Sequence, residues 1–244
     1  METDLAAAPK TLLIIMPAFN EGPRLGGVLE KVRSVHPSAD VLVVDDGSSD
    51  DTEARALGAG ATVARHPINL GYGTALETGY QFAIHHGYDL VVQLDGDGQH
   101  DPSSLADVLA PVIDGHADVA IGSRFLTPKT YKAPWGRKLG SYLFSWLASR
   151  LTGRKFTDPT SGLWAMNRAA IIALTSGQLP HDYPDADVLI GLHYAGIRLT
   201  EVPVVMHPSP ERPSMHGGAM PLYYVFKMLF SMFLAMLGRR PQSV

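Results

Sequence analysis

Two aspartates one residue apart, Asp95 and Asp97, form the strongest chemical signal in the sequence, within the segment LDGDGQH. They follow an apolar run, 90–94, of the kind found in strands buried on both faces of a parallel sheet. Carboxylates placed this way can converge on one hard cation, and Mg²⁺ is often held by one or two carboxylates together with substrate phosphates. Gln99 adds a neutral oxygen. The pattern predicts a Mg²⁺ or Mn²⁺ site serving a nucleotide; the alternative is a solvated acidic turn.

Two further polar clusters follow apolar runs nearer the N-terminus. Residues 43–50 read VVDDGSSD, where an acidic residue can accept hydrogen bonds from a base or a ribose. An aspartate here could instead be a phosphoacceptor or a helix cap. Residues 16–21 read MPAFNE, where Pro17 stiffens the turn and Glu21 can reach a base while favouring a helix N-terminus. Capping alone also explains this second cluster.

The elements that must position these clusters alternate between strands and helices. Short apolar runs predict strands at 11–16, 40–44, 61–64, 90–94 and 119–121. Helical patterns between them end near residues 35, 57, 86 and 113. This alternation with short connections is typical of an open, mostly parallel α/β sheet flanked by helices. Ligands of such sheets bind at the carboxyl ends of the strands, where all three clusters lie. Later segments predict helices at 131–151, 168–174 and 186–195, and a strand at 199–205.

Composition excludes several classes of function. The chain has 244 residues with 45% hydrophobic and 18% charged residues, which argues against disorder. The formal charge of -4 leaves no basic footprint for nucleic acid, so a small molecule or a lipid fits better as a substrate. There is no cysteine for a disulfide or a thiolate metal site. Asn69-x-Gly71-x-Gly73 resembles a dinucleotide fingerprint only faintly, because it does not follow the first strand, so we do not expect NAD.

In this order, the three strand-end motifs resemble the family 2 glycosyltransferases with a GT-A fold. Within that family the chain is similar to the dolichyl- or polyprenyl-phosphate sugar transferases, over residues 12–205. The resemblance implies an inverting, metal-dependent hexosyltransferase of cell-envelope glycan synthesis. Its donor would be a UDP-, GDP- or dTDP-sugar and its acceptor a polyprenyl phosphate.

The resemblance also implies roles for individual residues. The nucleotide would be surrounded by Pro17, Ala18, Asn20, Glu21 and Asp46. The family's Asp-x-Asp-x-Gln metal motif is matched by Asp95, Asp97 and Gln99, with Asp95 also near the ribose.

Three residues further along match positions that hold the acceptor phosphate in this branch, namely Arg124, Arg137 and Ser141. Arg137 and Ser141 share a helix face at i and i+4, and arginine suits phosphate geometry, although a surface cation is the alternative. Arg212 matches an element that folds over the donor diphosphate, but this chain lacks the lysine often found there. The segments 158–162 and 201–204 match a loop of the family and the strand that closes its sheet.

The nature of the acceptor decides whether a general base is needed. A hydroxyl acceptor needs one, and Asp182, Asp185 and Asp187 are candidates that could equally cap the following helix. A lipid phosphate is already an anion at neutral pH and needs none. Two alternatives therefore remain open: a transferase acting on a sugar hydroxyl of a glycolipid or polysaccharide, and a non-catalytic nucleotide-sugar-binding partner of a membrane protein. A response-regulator-like phosphoacceptor is the outsider.

We expect three regions: a tail at 1–10, a GT-A catalytic domain at 11–210 and a C-terminal helical segment at 211–244. The tail lacks the features of a signal peptide, which predicts a catalytic part in the cytoplasm. Between residues 220 and 237 the only charged residue is Lys227. This segment predicts an amphipathic helix that spans the membrane or lies in its cytoplasmic interface, or else docks on the domain or on a second copy.

Overall fold

The fold is that of a computed structural model, which describes residues 10–126, 135–177 and 186–207, together with Phe230. The strands in these ranges are β1 (Leu12–Ala18), β2 (Asp40–Asp45), β3 (Thr62–Arg65), β4 (Leu90–Gln93), β5 (Val119–Ser123), β6 (Trp164–Asn167) and β7 (Leu199–Pro203). The helices are α1 (Gly22–Val35), α2 (Thr52–Gly58), α3 (Tyr72–His85), α4 (Leu105–Ile113), α5 (Trp135–Thr152), α6 (Arg168–Leu174) and α7 (Ala186–Tyr194). A short 3-10 turn, Pro102–Ser104, precedes α4.

The strands form one seven-stranded sheet in the order β3-β2-β1-β4-β6-β5-β7. Strands β1 to β4 pair in parallel, and β5 pairs in parallel with β7. Strand β6 runs antiparallel to both of its neighbours, β4 and β5. The predicted α/β architecture with a mostly parallel sheet is therefore confirmed, but β6 was not among the predicted strands. Its four residues sit directly against α6, so no turn marks its end.

The alternation of side chains along the strands divides the core into two layers. Leu13 and Ile15 of β1 pack in the layer beneath α3, α5, α6 and α7, whereas Ile14 and Met16 pack beneath α1, α2 and α4. Both faces of the central strands are thus covered, which explains why their sequences are continuous apolar runs. The two layers thus bury the sheet, and the polar clusters lie beyond the ends of its strands.

Close approach of α3 to the sheet depends on Gly79. A Cβ atom there would overlap Cγ2 of Ile15 on β1, so any larger residue would push the helix away. Gly71, just before the helix, meets no such neighbour but has φ of 98°, which favours glycine. The glycines of this region therefore serve the packing of α3 and the turn that leads into it.

Several predicted features fall outside the described residues. They include most of the N-terminal tail, Asp182, Asp185, Arg212 and most of the C-terminal segment at 211–244, of which only Phe230 is described, as an exposed helical residue. No helix of the described ranges is long and apolar enough to cross a membrane. The C-terminal membrane helix and the three-region division remain predictions.

Candidate active site

The strand ends bring the three predicted clusters together at one edge of the sheet. Pro17 and Ala18 end β1, and the backbone N–H of Asp46, just past β2, donates to the carbonyl of Ala18 at 2.9 Å. The turn after β4 lies against the same place, because a Cβ at Gly96 would be 3.3 Å from the carbonyl oxygen of Pro17. The predicted convergence at the carboxyl ends of β1, β2 and β4 is therefore present.

Asn20 and Glu21 join the loop after β1 to the loop after β2. Asn20 has φ of 54°, and its side-chain oxygen accepts from the backbone N–H of Ser49 at 2.9 Å. The buried Glu21 donates its backbone N–H to the Thr52 hydroxyl at 2.9 Å, and its carboxylate pairs with Arg24 at 3.2 Å. Both residues thus hold the loop after β1 against the loop after β2.

Asp46 is held by three donors from the segment that follows β3. Its carboxylate accepts from the backbone N–H groups of Leu70 and Gly71, each at 2.8 Å. Nδ1 of the buried His66 lies 2.7 Å from the same carboxylate, and Nε2 of His66 lies 2.9 Å from the Thr78 hydroxyl. Asp46 therefore fixes the turn into α3 as well as the end of β2, a link that its position in the sequence did not reveal.

The neighbouring Asp45 is fully buried. Its Oδ1 accepts from the backbone N–H of Ser48 at 2.9 Å. Its Oδ2 has no hydrogen-bond partner among the described residues and lies 3.7 Å from Nε of Arg65. Asp45 thus shapes the loop after β2, while Asp46 reaches across to the next strand.

Both oxygens of Asp95 have close neighbours, while the side chain stays 26% exposed. The Tyr72 hydroxyl donates to Oδ1 at 2.7 Å, and Oδ2 lies 3.9 Å from Nε2 of His100. A Cβ at Gly162 would overlap Oδ2, so the loop 158–162 reaches this carboxylate only because residue 162 is glycine. Burial raises the pKa of Asp95, an effect that the Tyr72 hydrogen bond opposes.

The residues of the Asp95–Gln99 turn fit a cation that completes its ligand shell from a substrate. Asp97 accepts the backbone N–H of Gln99 at 2.9 Å on Oδ1. Within the described ranges, no three His, Asp or Glu side chains come together to hold a metal by themselves. Two carboxylates and an amide oxygen are nonetheless the hard donor set that Mg²⁺ or Mn²⁺ accepts alongside phosphate oxygens. Burial lowers the pKa of His100 to about 4, so this neighbouring side chain is neutral at pH 7.

Arg124, at the end of β5, is bound to Asp158 by two parallel hydrogen bonds. Its Nε and Nη2 each donate to an oxygen of the fully buried Asp158 at 2.6 Å, and its backbone N–H donates at 3.0 Å. Glu201 on β7 accepts the backbone N–H groups of Thr157 and Asp158, at 2.8 and 2.7 Å. Ser123 lies 2.6 Å from the Thr157 hydroxyl. The loop 157–160 is therefore tied to the ends of β5 and β7.

Three other predicted residues have a place in the fold without a described role. Arg137 and Ser141 belong to the first turns of α5, and the structure does not describe their side chains. Asp187 is buried in the first turn of α7 and accepts the backbone N–H of Val188 at 2.9 Å.

Comparison with known proteins assigns the family. The model of the family described as glycosyl transferase family 2 matches residues 13–175. The chain belongs to glycosyl transferase family 2. The predicted resemblance and the predicted enzyme class are thereby confirmed.

The relatives within family 2 include enzymes of the polyprenyl-phosphate branch. A UDP-N-acetylglucosamine–dolichyl-phosphate N-acetylglucosaminyltransferase of Methanococcus voltae is 30% identical over 216 residues, covering 81% of this chain and 86% of that protein. An undecaprenyl-phosphate mannosyltransferase of Micrococcus luteus is 32% identical over 201 residues, covering 79% and 82%. The resemblance to this branch is confirmed.

Solved structures confirm the GT-A-like architecture. Glucosyl-3-phosphoglycerate synthase from Mycobacterium tuberculosis, in complex with Mn²⁺, UDP-glucose and phosphoglyceric acid, superposes with a TM-score of 0.72. It is 22% identical, and the match covers 97% of this chain and 83% of that chain. At this identity the likeness concerns the fold alone.

Sequence reasoning missed four residues that organise the site. They are His66, Tyr72, Asp158 and Glu201. Asp158 and Glu201 lie in segments that the resemblance had marked, but nothing in the sequence pairs Asp158 with Arg124 across 34 residues. His66 precedes the glycine motif at 69–73 and Tyr72 lies within it, and the link of this motif to Asp46 becomes visible only in the fold.

Proposed function

We propose that this protein transfers a sugar from a nucleoside-diphosphate sugar to a polyprenyl phosphate at a membrane surface. The observation that carries the proposal is the position of the Asp95–Gln99 turn, packed against the carbonyl of Pro17 and level with Asp46 at the ends of three parallel strands. This arrangement suits a donor that has a nucleoside at one end and a charged diphosphate at the other. The names of the Methanococcus voltae and Micrococcus luteus relatives support the lipid-phosphate acceptor.

On the donor side, Asp95, Asp97 and Gln99 would hold a divalent cation, Mg²⁺ or Mn²⁺. Bound there, the cation would supply positive charge to offset the charge that develops on the leaving nucleoside diphosphate. The Mn²⁺ and UDP-glucose of the glucosyl-3-phosphoglycerate synthase complex support a divalent ion with a UDP-sugar in this fold. Pro17, Ala18, Asn20, Glu21 and Asp46 would line the nucleoside pocket, and Arg212 would cover the diphosphate.

On the acceptor side, Arg124, Arg137 and Ser141 would hold the lipid phosphate. The phosphate is anionic at neutral pH, so it attacks the anomeric carbon without a general base, and the anomeric configuration inverts. The Asp158 carboxylate holds the Arg124 guanidinium in place by its two 2.6 Å bonds. Arg124 is thus positioned before the acceptor arrives, which removes the entropic cost of ordering it then.

The membrane contact is proposed on the same side of the molecule. Tyr142 and Trp146 are exposed one turn apart on α5, the helix that also carries Arg137 and Ser141. Tyrosine and tryptophan prefer the membrane–water interface because each joins an apolar ring to a polar group. We infer a peripheral association on the cytoplasmic side, to which the segment 211–244 would add an anchor. A second copy or a membrane-protein partner remains a further prediction.

A transfer assay tests the function directly. Radiolabelled UDP-, GDP- and dTDP-sugars are incubated with polyprenyl phosphate and either Mg²⁺ or Mn²⁺, and label is counted in the lipid phase. We expect label with one donor, dependent on the metal, and lost in Arg137→Ala. Asp97→Ala should lower the rate by about a thousandfold, since a metal clamp on the diphosphate contributes about 4 kcal/mol to the transition state. Asp107→Ala, on the exposed face of α4, is the matched control.

The same assay separates the alternatives. A donor that is hydrolysed but never transferred to lipid contradicts the acceptor, and a large loss of turnover in Asp187→Asn would favour a hydroxyl acceptor with a general base. A chain that neither binds nor turns over any nucleotide sugar would be a non-catalytic protein.

A further inference from the structure

The Tyr72 hydroxyl lies between a buried amide and a carboxylate of the proposed metal site. It donates to Oδ1 of Asp95 at 2.7 Å and accepts from Nε2 of Gln93 at 3.3 Å. The Gln93 side-chain oxygen in turn accepts from the hydroxyl of the buried Tyr80. A row of hydrogen bonds therefore runs from the core to Asp95.

The position of Tyr72 is fixed by the contacts of the two preceding residues with Asp46, a residue of the proposed nucleoside pocket. Tyr72 is the first residue of α3 and directly follows Leu70 and Gly71, whose backbone N–H groups bind the Asp46 carboxylate. The end of β2 is therefore connected through three consecutive residues to the metal motif after β4. Neither the fold nor the core needs this hydroxyl for packing, because the ring of Tyr72 already lies against the core beneath α3.

We propose that Tyr72 is a positioning residue for Asp95: its hydroxyl fixes the orientation of the carboxylate that would hold the divalent cation. This inference rests on the proposed function, because it assumes that Asp95 and Asp97 hold the ion. Outer hydrogen bonds that orient a ligand commonly change metal affinity by about 10- to 100-fold. Oδ2 is bounded by Gly162 and lies 3.9 Å from Nε2 of His100, while Tyr72 binds Oδ1, so loss of the Tyr72 hydrogen bond would let the carboxylate turn away from the orientation that these contacts define.

Mn²⁺ binding is the test, since it does not depend on turnover. The full-length protein is titrated with Mn²⁺, with and without UDP, GDP or dTDP, and free Mn²⁺ is followed by electron paramagnetic resonance. Tyr72→Phe keeps the ring and removes the hydroxyl, and we expect the Kd for Mn²⁺ to rise by about tenfold or more. In the transfer assay the same variant should need more metal for half-maximal rate and recover most of its rate at saturating Mn²⁺.

Tyr80→Phe is the matched control. It removes a hydroxyl from the same hydrogen-bonded row, but one that contacts Gln93 and not a carboxylate. Its Kd for Mn²⁺ should stay near that of the unmodified protein, and thermal unfolding of both variants checks that each is folded.

The outcomes separate the inference from the function on which it rests. If Asp97→Ala abolishes Mn²⁺ binding while Tyr72→Phe binds as tightly as the unmodified protein, the positioning role is wrong and the metal site stands. Equal losses in Tyr72→Phe and Tyr80→Phe would also overturn it, because the effect would then belong to the row as a whole. If Asp97→Ala binds Mn²⁺ normally, the proposed metal site itself is wrong.

Discussion

The two halves of the sheet hold their functional strand ends by different contacts. The proposed donor side comprises β1 to β4, and the proposed acceptor side comprises β5 and β7. Around β1, β2 and β4, carboxylates and hydroxyls bind backbone N–H groups of neighbouring loops, as Asp46 binds Leu70 and Gly71. Around β5 and β7, a buried ion pair between Arg124 and Asp158 holds the loop 157–160, and the Glu201 carboxylate accepts a backbone N–H of the same loop. The donor side thus relies mainly on carboxylate–amide hydrogen bonds, and the proposed acceptor side adds a buried ion pair to bonds of that kind.

This difference predicts how each side responds to mutation. A carboxylate that binds backbone amides can be replaced at the cost of those hydrogen bonds, usually about 1 to 3 kcal/mol each. An ion pair taken out of water behaves differently, because removing one partner leaves the other charge buried without compensation. Mutation of the Arg124–Asp158 pair should therefore lower the free energy of unfolding more than mutation of a carboxylate on the donor side.

The largest effect should come from Asp158→Ala. Arg124 is mostly buried, and without Asp158 its charge loses both 2.6 Å hydrogen bonds, so we expect the free energy of unfolding to fall by about 3 kcal/mol. Urea denaturation followed by circular dichroism measures the loss. Transfer activity should fall as well, because Arg124 would no longer be held in place.

An ion pair on the donor side provides the matched control. Glu53 pairs with Arg65 on the surface beside β3, where both side chains are well exposed to water. Glu53→Ala should therefore change the urea midpoint far less than Asp158→Ala. Equal shifts in the two variants would contradict the distinction between the sides.

The two sides also differ in how well sequence reasoning anticipates their fold. The strands β1 to β4 are successive apolar runs that pair in parallel and leave polar clusters at one edge, so period and spacing are sufficient to predict them. Strand β6 is a four-residue segment inserted antiparallel between β4 and β5, although it follows both in sequence. Its partners β4 and β5 lie far from it in the sequence, and no local pattern encodes that pairing.

The same contrast applies to the candidate site. Asp95, Asp97 and Asp46 stand at strand ends in short motifs, so their residue types and positions indicate a site. Tyr72 and Asp158 act through contacts with residues 23 and 34 positions away. These contacts depend on the tertiary structure, because they join residues that are distant in the sequence. A tyrosine or an aspartate in a loop is equally compatible with capping, packing or solvent exposure, so its residue type alone does not predict the contact.

A smaller effect should follow from the exposed helix faces. Tyr142 and Trp146 on α5 are 72% and 55% exposed, and replacing both by alanine should weaken binding to vesicles of phosphatidylglycerol and phosphatidylcholine by about tenfold, a change of about 1.4 kcal/mol. Cosedimentation measures the binding. The control is Leu57→Ala with Ile113→Ala, which removes side chains of 56% and 48% exposure from helices on the other face of the sheet. Equal losses in both double variants would mean that apolar area alone, and not the aromatic face of α5, sets the affinity.

The smallest effect compares two carboxylates, one on each side, that bridge the amino ends of the strands. Asp118 joins β5, β6 and β7 by accepting from Asn167 and, at 2.8 and 3.0 Å, from the Arg198 guanidinium, which lowers its pKa to about 2. Asp89 joins β1 and β4 mainly through the backbone N–H of Thr11, which also lowers its pKa.

A carboxylate whose pKa is lower in the folded than in the unfolded chain stabilises the fold at pH values above its unfolded pKa, which is 3.8 for Asp118. This contribution is lost as the pH falls towards the folded pKa of about 2. Asp118→Asn should therefore lower the urea midpoint at pH 7, and its difference from the unmodified protein should shrink as the pH falls from 4 to 2. Asp89→Asn should show a weaker change, since an amide oxygen can still accept from Thr11. A difference for Asp118→Asn that stays constant down to pH 2 would mean that packing, and not the Arg198 charge, is what Asp118 contributes to the β5–β7 side.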